Sequence, residues 1–207
     1  MKNLLLLLPA LLIVGCGTTW PERDAAYWER YVEENKPHSD ESVYFHPEGE
    51  VDRDVYIDEG QEFAFKFVEM HEGNALWVIE VDEGGDGFFI FLERWNNDGE
   101  LLQRYRKLPF RLGDLEHDKL RDVLLDSGFL SIRSEFNGDG LYYWTIGVRA
   151  DSDVKSVNFR GGYPNEARNA VYDSYDLIVK PRASKMGSAE VFETSDWSTT
   201  EEAQPLD

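Results

Sequence analysis

An α+β domain, an antiparallel sheet carrying one or two short helices, is what three features of this sequence predict. Apolar residues alternate at period two in several stretches between residues 63 and 108. The spacing turns helix-like from Asp114 to Ser127. Strand character then returns beyond Phe129, with no regular strand–helix–strand repeat. Strands in blocks with helices between them separate this class from the doubly wound sheet.

The chain opens with Lys2, an unbroken apolar run from Leu4 to Val14, and then Gly15-Cys16. A helix of eleven residues reaches roughly 16 Å, about half the hydrocarbon core of a bilayer, so this run is an export signal and not a span. Residues 16–42 are polar and read as a tether, with a short helix-compatible stretch, Asp24-Ala-Ala-Tyr-Trp-Glu-Arg-Tyr-Val. The globular domain is expected over 43–180, with a subdivision near 112 left open. Residues 181–207, acidic and poor in hydrophobic residues, read as a disordered tail.

Within the domain, Phe63, Phe65 and Phe67 alternate along a first strand. Ala75 to Val81, Phe88 to Trp95 and Leu101 to Leu108 follow as further strands, the last pair joined by the tight-turn signal Asn97-Asp98-Gly99. Asp114 reads as an N-cap, and Leu115, Leu120, Val123 and Leu124 recur at helical spacing until Ser127-Gly128. Phe129 to Phe136, Leu141 to Val148 and Val154 to Arg160 are expected as strands, the first two turned by Asn137-Gly138-Asp139-Gly140. Pro164 to Val179 carries Ala167, Ala170, Val171, Ser174 and Ile178 on one helical face; Tyr172, Tyr175 and Val179 keep a strand open as the alternative.

Charge restricts the partners. The 207 residues carry a formal net charge of −20, and removing residues 1–15 removes Lys2 and no acid. Nucleic-acid binding rests on neutralising phosphates with Lys and Arg, so that class is excluded. Aromatic residues make up 14% of the chain, ample for a core.

Candidate sites are few. Asp82, Asp86 and Glu93 stand at positions one, five and twelve of an EF-hand register, but Gly84 occupies position three and the flanks are strand-like. A hairpin turn explains the same residues. Glu135-Phe-Asn137-Gly-Asp139-Gly140 is a second partial match, with Ile146 in place of the last acid. His38, His46, His71 and His117 lack metal-ligand spacing, and no G-x-S-x-G elbow is present. No cofactor is implied. Tyr142, Trp144 and Ile146 share one strand face, which forms a sugar-stacking platform if that face is exposed.

Two resemblances add to this reading. Ile13-Val14-Gly15-Cys16 resembles the bacterial lipobox, which implies cleavage before Cys16 and a diacylglycerol on its sulfur. Cys16 is the only cysteine, so acylation consumes a thiol that has no disulfide partner. Gly17, in place of the aspartate that retains some lipoproteins at the inner membrane, favours the outer membrane in a two-membrane host. From Gly84 to Lys180 the order of features is similar to that of the emfourin family, inhibitors of thermolysin-like metalloproteases. The counterparts are a glycine-rich opening into a strand, Leu115 to Leu125, Gly128-Phe129-Leu130, Asp139-Gly140, and Trp144 to Val148 leading to Val154-Lys-Ser-Val157. The expected roles are therefore, in order, a non-enzymatic lipid-anchored envelope module that binds a protein or glycan, a metalloprotease inhibitor, and an envelope hydrolase with a carboxylate site.

Overall fold

A computed structural model describes residues 20–37, 61–71, 74–132, 136–137, 142–160 and 162–192. The elements in order are α1 (Ala25–Glu34), β1 (Phe63–His71), β2 (Asn74–Val81), β3 (Asp86–Asn97), β4 (Glu100–Arg111), α2 (Asp114–Asp126), a 3-10 turn (Phe129–Ser131), β5 (Phe136–Asn137), β6 (Tyr142–Ala150), β7 (Asp153–Arg160), α3 (Asn165–Ile178), a 3-10 segment (Lys180–Ser188) and β8 (Glu190–Phe192). The strands form one sheet in the order β5-β7-β6-β1-β2-β3-β4-β8. All neighbours pair antiparallel except β5, which lies parallel to β7. The α+β class and its antiparallel sheet stand as expected.

Alternation along the strands fixes which face carries the helices. Phe63, Phe65, Phe67, Trp77, Ile79, Val81, Phe89, Phe91, Trp144, Ile146 and Val148 all belong to one buried cluster with Leu120 and Leu124 of α2 and Ala167, Ala170, Val171, Tyr175 and Ile178 of α3. A smaller cluster, with Val78, Ile90, Leu92 and Tyr105, forms on the opposite parity of β2–β4. The β3–β4 turn has Asp98 and Gly99 both at positive φ, 51° and 91°, which suits a two-residue hairpin loop. At Gly87, where β3 starts, an added Cβ would collide with the Glu80 carbonyl and the Phe110 ring, so the close approach of β2, β3 and β4 depends on glycine.

Several expectations require correction. The subdivision left open near 112 does not interrupt the sheet, since β1 pairs with β6 and strands from both sides share it. Gly113, not Asp114, caps α2: its backbone N–H donates to Glu116 Oε2 at 3.1 Å, and Asp114 is the first helical residue. Leu115 lies outside the packed face at 69% exposure. Phe129 starts no strand. Gly128, at φ 78°, ends the helix in the left-handed conformation, and the following 3-10 turn drives Phe129 into the core. The strand that follows, β5, pairs with β7 and not with β6. The Asn137–Gly140 turn falls mostly outside the described residues, as do Glu135, Asp139, His38 and His46.

The domain also reaches beyond 43–180 at both ends. Asp24 caps α1 by accepting from Tyr27 N at 2.8 Å, and Trp28 and Val32, one turn apart, bury against the sheet. Beyond residue 180, Arg182, Ala183, Met186 and Ala189 are buried, and β8 adds a strand to β4 through Tyr105↔Phe192 and Lys107↔Glu190. Composition misled at both ends because few apolar residues there suffice: Trp28 packs edge-on to Phe91 of the sheet, and Val32, Ala183, Met186 and Ala189 join the same buried cluster.

Candidate functional site

The two longest strands, β3 and β4, extend twelve residues each. Of the charged side chains on them that have the parity of the core face, three are withdrawn from solvent: Glu93, Arg104 and Arg106. At this end of the sheet α1 and the Lys180–Ser188 segment provide the covering layer. Burying a carboxylate there would be costly without partners.

Glu93 has three. Arg104 Nε and Arg106 Nε both donate to Glu93 Oε2, at 2.7 and 2.8 Å. Arg23, one residue before the cap of α1, places Nη1 2.9 Å from Oε1, an ion pair without hydrogen-bond angles. The Glu93 side chain is 1% exposed and the arginines 9–19%. Each guanidinium is also fixed elsewhere. Arg106 Nη1 donates to the carbonyls of Gly187 and Ala189, at 3.1 and 2.9 Å, and Arg23 Nη2 to the carbonyl of Arg94 at 3.1 Å. Arg104 stacks on the Trp20 ring, 3.9 Å from its centroid, and Arg23 on Tyr27 at 4.4 Å.

Beside this cluster opens a pocket of about 380 Å³ lined by Trp20, Pro21, Glu22, Arg23, Trp28, Glu93, Arg104, Arg106 and Gly187. Its lining holds three arginines against two glutamates, a local excess of positive charge in a chain of net −20. With Nε committed to Glu93, Arg104 has its terminal nitrogens left for the pocket, and they donate to no described residue. Such a lining is chemically suited to a carboxylate or phosphate, whose paired oxygens match the guanidinium fork.

The sites expected from sequence fall elsewhere. Trp144 is fully buried, stacked on Tyr163 with ring centroids 3.7 Å apart and its Nε1 3.4 Å from Glu69 Oε1, so it builds core and offers no sugar platform. Tyr142, at the end of the same face, is half-buried and stacks on His71. Asp82 and Asp86 form the β2–β3 turn: Asp82 Oδ1 accepts from Asp86 N at 2.9 Å, and Asp86 pairs with Arg111 at 3.0 Å. Glu93 lies seven residues further along β3, roughly 23 Å by strand rise, so it shares no ion with them. Among the described residues no group of three or more His, Cys, Asp or Glu is placed to hold a metal. His117 packs edge-on to Phe63. Cys16 lies outside the described residues.

Sequence reading missed Arg23, Arg104, Arg106 and the carbonyls after Met186. One signal was available: Arg104 and Arg106 share parity with Leu108, a core position. No protein-family model matches the chain, and no curated protein matches it in sequence.

Proposed function

We propose that this chain is a lipid-anchored, non-enzymatic interaction module of the bacterial envelope whose arginine pocket takes an anionic group of its ligand, a carboxylate or a phosphate. The observation that carries the binding role is the convergence of three guanidinium groups on one carboxylate beside an open pocket. The described residues of the lining are arginine, glutamate, tryptophan, proline and glycine, a set suited to holding charge. Anchoring rests on Gly15-Cys16 after the apolar run, with Cys16 only four residues ahead of Trp20 in the pocket wall.

Mass spectrometry of native material tests the anchor: a diacylated N-terminal cysteine is expected, and an intact Met1 or a bare thiol refutes it. Capture of envelope components on the parent and on Arg104→Gln tests the pocket. A component held by the parent and released by the variant is the expected ligand; identical retention on both refutes the assignment. A second reading, inhibition of a thermolysin-like metalloprotease, draws support from the emfourin-like order of β3, α2, Gly128-Phe129-Leu130, β6 and β7. Its expected readout is loss of metalloprotease activity on mixing, and full activity across several such enzymes removes it.

A further inference from the structure

We propose that the arginine pocket and the β3–β4 hairpin tip beside it seat on the bilayer that carries the anchor, with a phospholipid phosphate in the pocket and Trp20 and Trp95 in the headgroup layer. The inference rests on lipidation of Cys16 and supplies a ligand for the site described above.

Reach comes first. Trp20 is four residue steps from Cys16, and a fully extended chain spans at most about 3.6 Å per residue, so the pocket wall stays within about 14 Å of the acylated cysteine. The interfacial layer is itself roughly 5–8 Å thick on each side of the hydrocarbon core. A pocket held this close to the membrane meets headgroups whenever it faces them.

Composition then selects the face. Trp20 and Trp95 pack with centroids 6.0 Å apart, and Trp95 pairs across the hairpin with the half-buried Leu102. Leu101, at the tip, is 62% exposed. Tryptophan and arginine side by side are what the membrane–water interface favours, the ring in the headgroup layer and the guanidinium on phosphate. The charges oppose one another locally: Arg23, Arg94, Arg104 and Arg106 stand against Glu22, Glu93, Asp98 and Glu100. That balance is near neutral, while the whole chain is at −20. A tethered protein so acidic is repelled from anionic lipid on its other sides, and the orientation of least repulsion places this end toward the bilayer.

The test reconstitutes the full acylated chain into phosphatidylcholine–phosphatidylglycerol vesicles in which the lipid is brominated near the headgroup end of its acyl chains, a contact quencher of tryptophan emission. Trp28, Trp77 and Trp144 are at most 2% exposed and sit out of its reach. The parent is expected to lose a clear fraction of its emission, and Trp20→Phe/Trp95→Phe to lose at least twofold less; Trp197 is common to both and cancels. Arg104→Gln, which keeps the tryptophans, should also reduce the quenching. Equal quenching in the parent and the double variant overturns the docking. Failure of the parent to float with the vesicles overturns the anchor instead, so the two failures are told apart.

Discussion

Replacing Glu93 by glutamine removes one buried charge and tests the cluster atom by atom. Both Nε–H donors, from Arg104 and Arg106, converge on the single oxygen Oε2, so the glutamine carbonyl placed there retains both bonds. Its NH2 group then occupies the position of Oε1, facing Arg23 Nη1 at 2.9 Å, donor against donor. Removing one partner of a buried ion pair costs about 3–5 kcal/mol. The arginines are 9–19% exposed and recover some hydration, so the lower end applies, about 3 kcal/mol. For a domain of this size that is a Tm lowered by roughly 6–12 °C. Urea unfolding of the parent, Glu93→Gln, Arg23→Ala and the double variant gives the coupling directly, and a Glu93–Arg23 interaction of at least about 1 kcal/mol is expected. A Glu93→Gln protein within about 0.5 kcal/mol of the parent, smaller than the ordinary effect of a core substitution, refutes the reasoning.

Gly87→Ala should destabilise by about 1–3 kcal/mol, since the new methyl meets the Glu80 carbonyl and the Phe110 ring; an unchanged urea midpoint would contradict that packing. Trp144→Ala should cost about 3–5 kcal/mol by calorimetry, and a variant as stable as the parent would return Trp144 to the surface. Ending the chain after Lys180 should expose the α1 and β4 contacts and abolish cooperative unfolding, whereas ending it after Phe192 leaves those contacts in place and should preserve the transition. Burial pushes the Asp176 carboxyl up, but the Lys36 and Lys180 ammonium groups, 3.0 and 3.2 Å from its Oδ1, outweigh it and hold the group below its ordinary value of 3.8. A depressed carboxylate stabilises the fold above its ordinary value and loses that stabilisation as pH falls through the folded one, so α1, tied in through Lys36 and the Lys180–Glu33 pair, should loosen on the acid side. Asp176→Asn should flatten the fall of Tm with acidification; an identical slope would rule out this contribution.

Where chemistry and period agreed, sequence was sufficient. The Phe63-x-Phe65-x-Phe67 alternation, the Asn97-Asp98-Gly99 turn and the Ala167–Ile178 face all correspond to structure, because each is fixed by local geometry. What stayed illegible was long-range. Trp28 and Val32 give too short a pattern to separate a docked helix from a tether until the sheet they cover is known. Likewise Ala183, Met186 and Ala189 look sparse as composition, and the contacts of their segment with α1, α3 and β4 come only from tertiary packing. The charged cluster shows the same limit. Three arginines and one glutamate from residues 23, 93, 104 and 106 form no spacing motif, since α1 and the β3–β4 hairpin meet through tertiary packing alone.

The seam between α1 and the Lys180–Ser188 segment has a kinetic side. Trp28 lies so close to Gly187 that a methyl there would touch its indole nitrogen at 3.0 Å, and Arg106 is clasped by carbonyls from the same late segment. Closing a loop of about 160 residues is entropically slow, and here it waits until the segment around Gly187 has been made. Under the proposed export route that delay is useful. A polypeptide whose native packing needs both Trp28 and the segment around Gly187 would stay an unfolded thread until both had crossed a translocation pore.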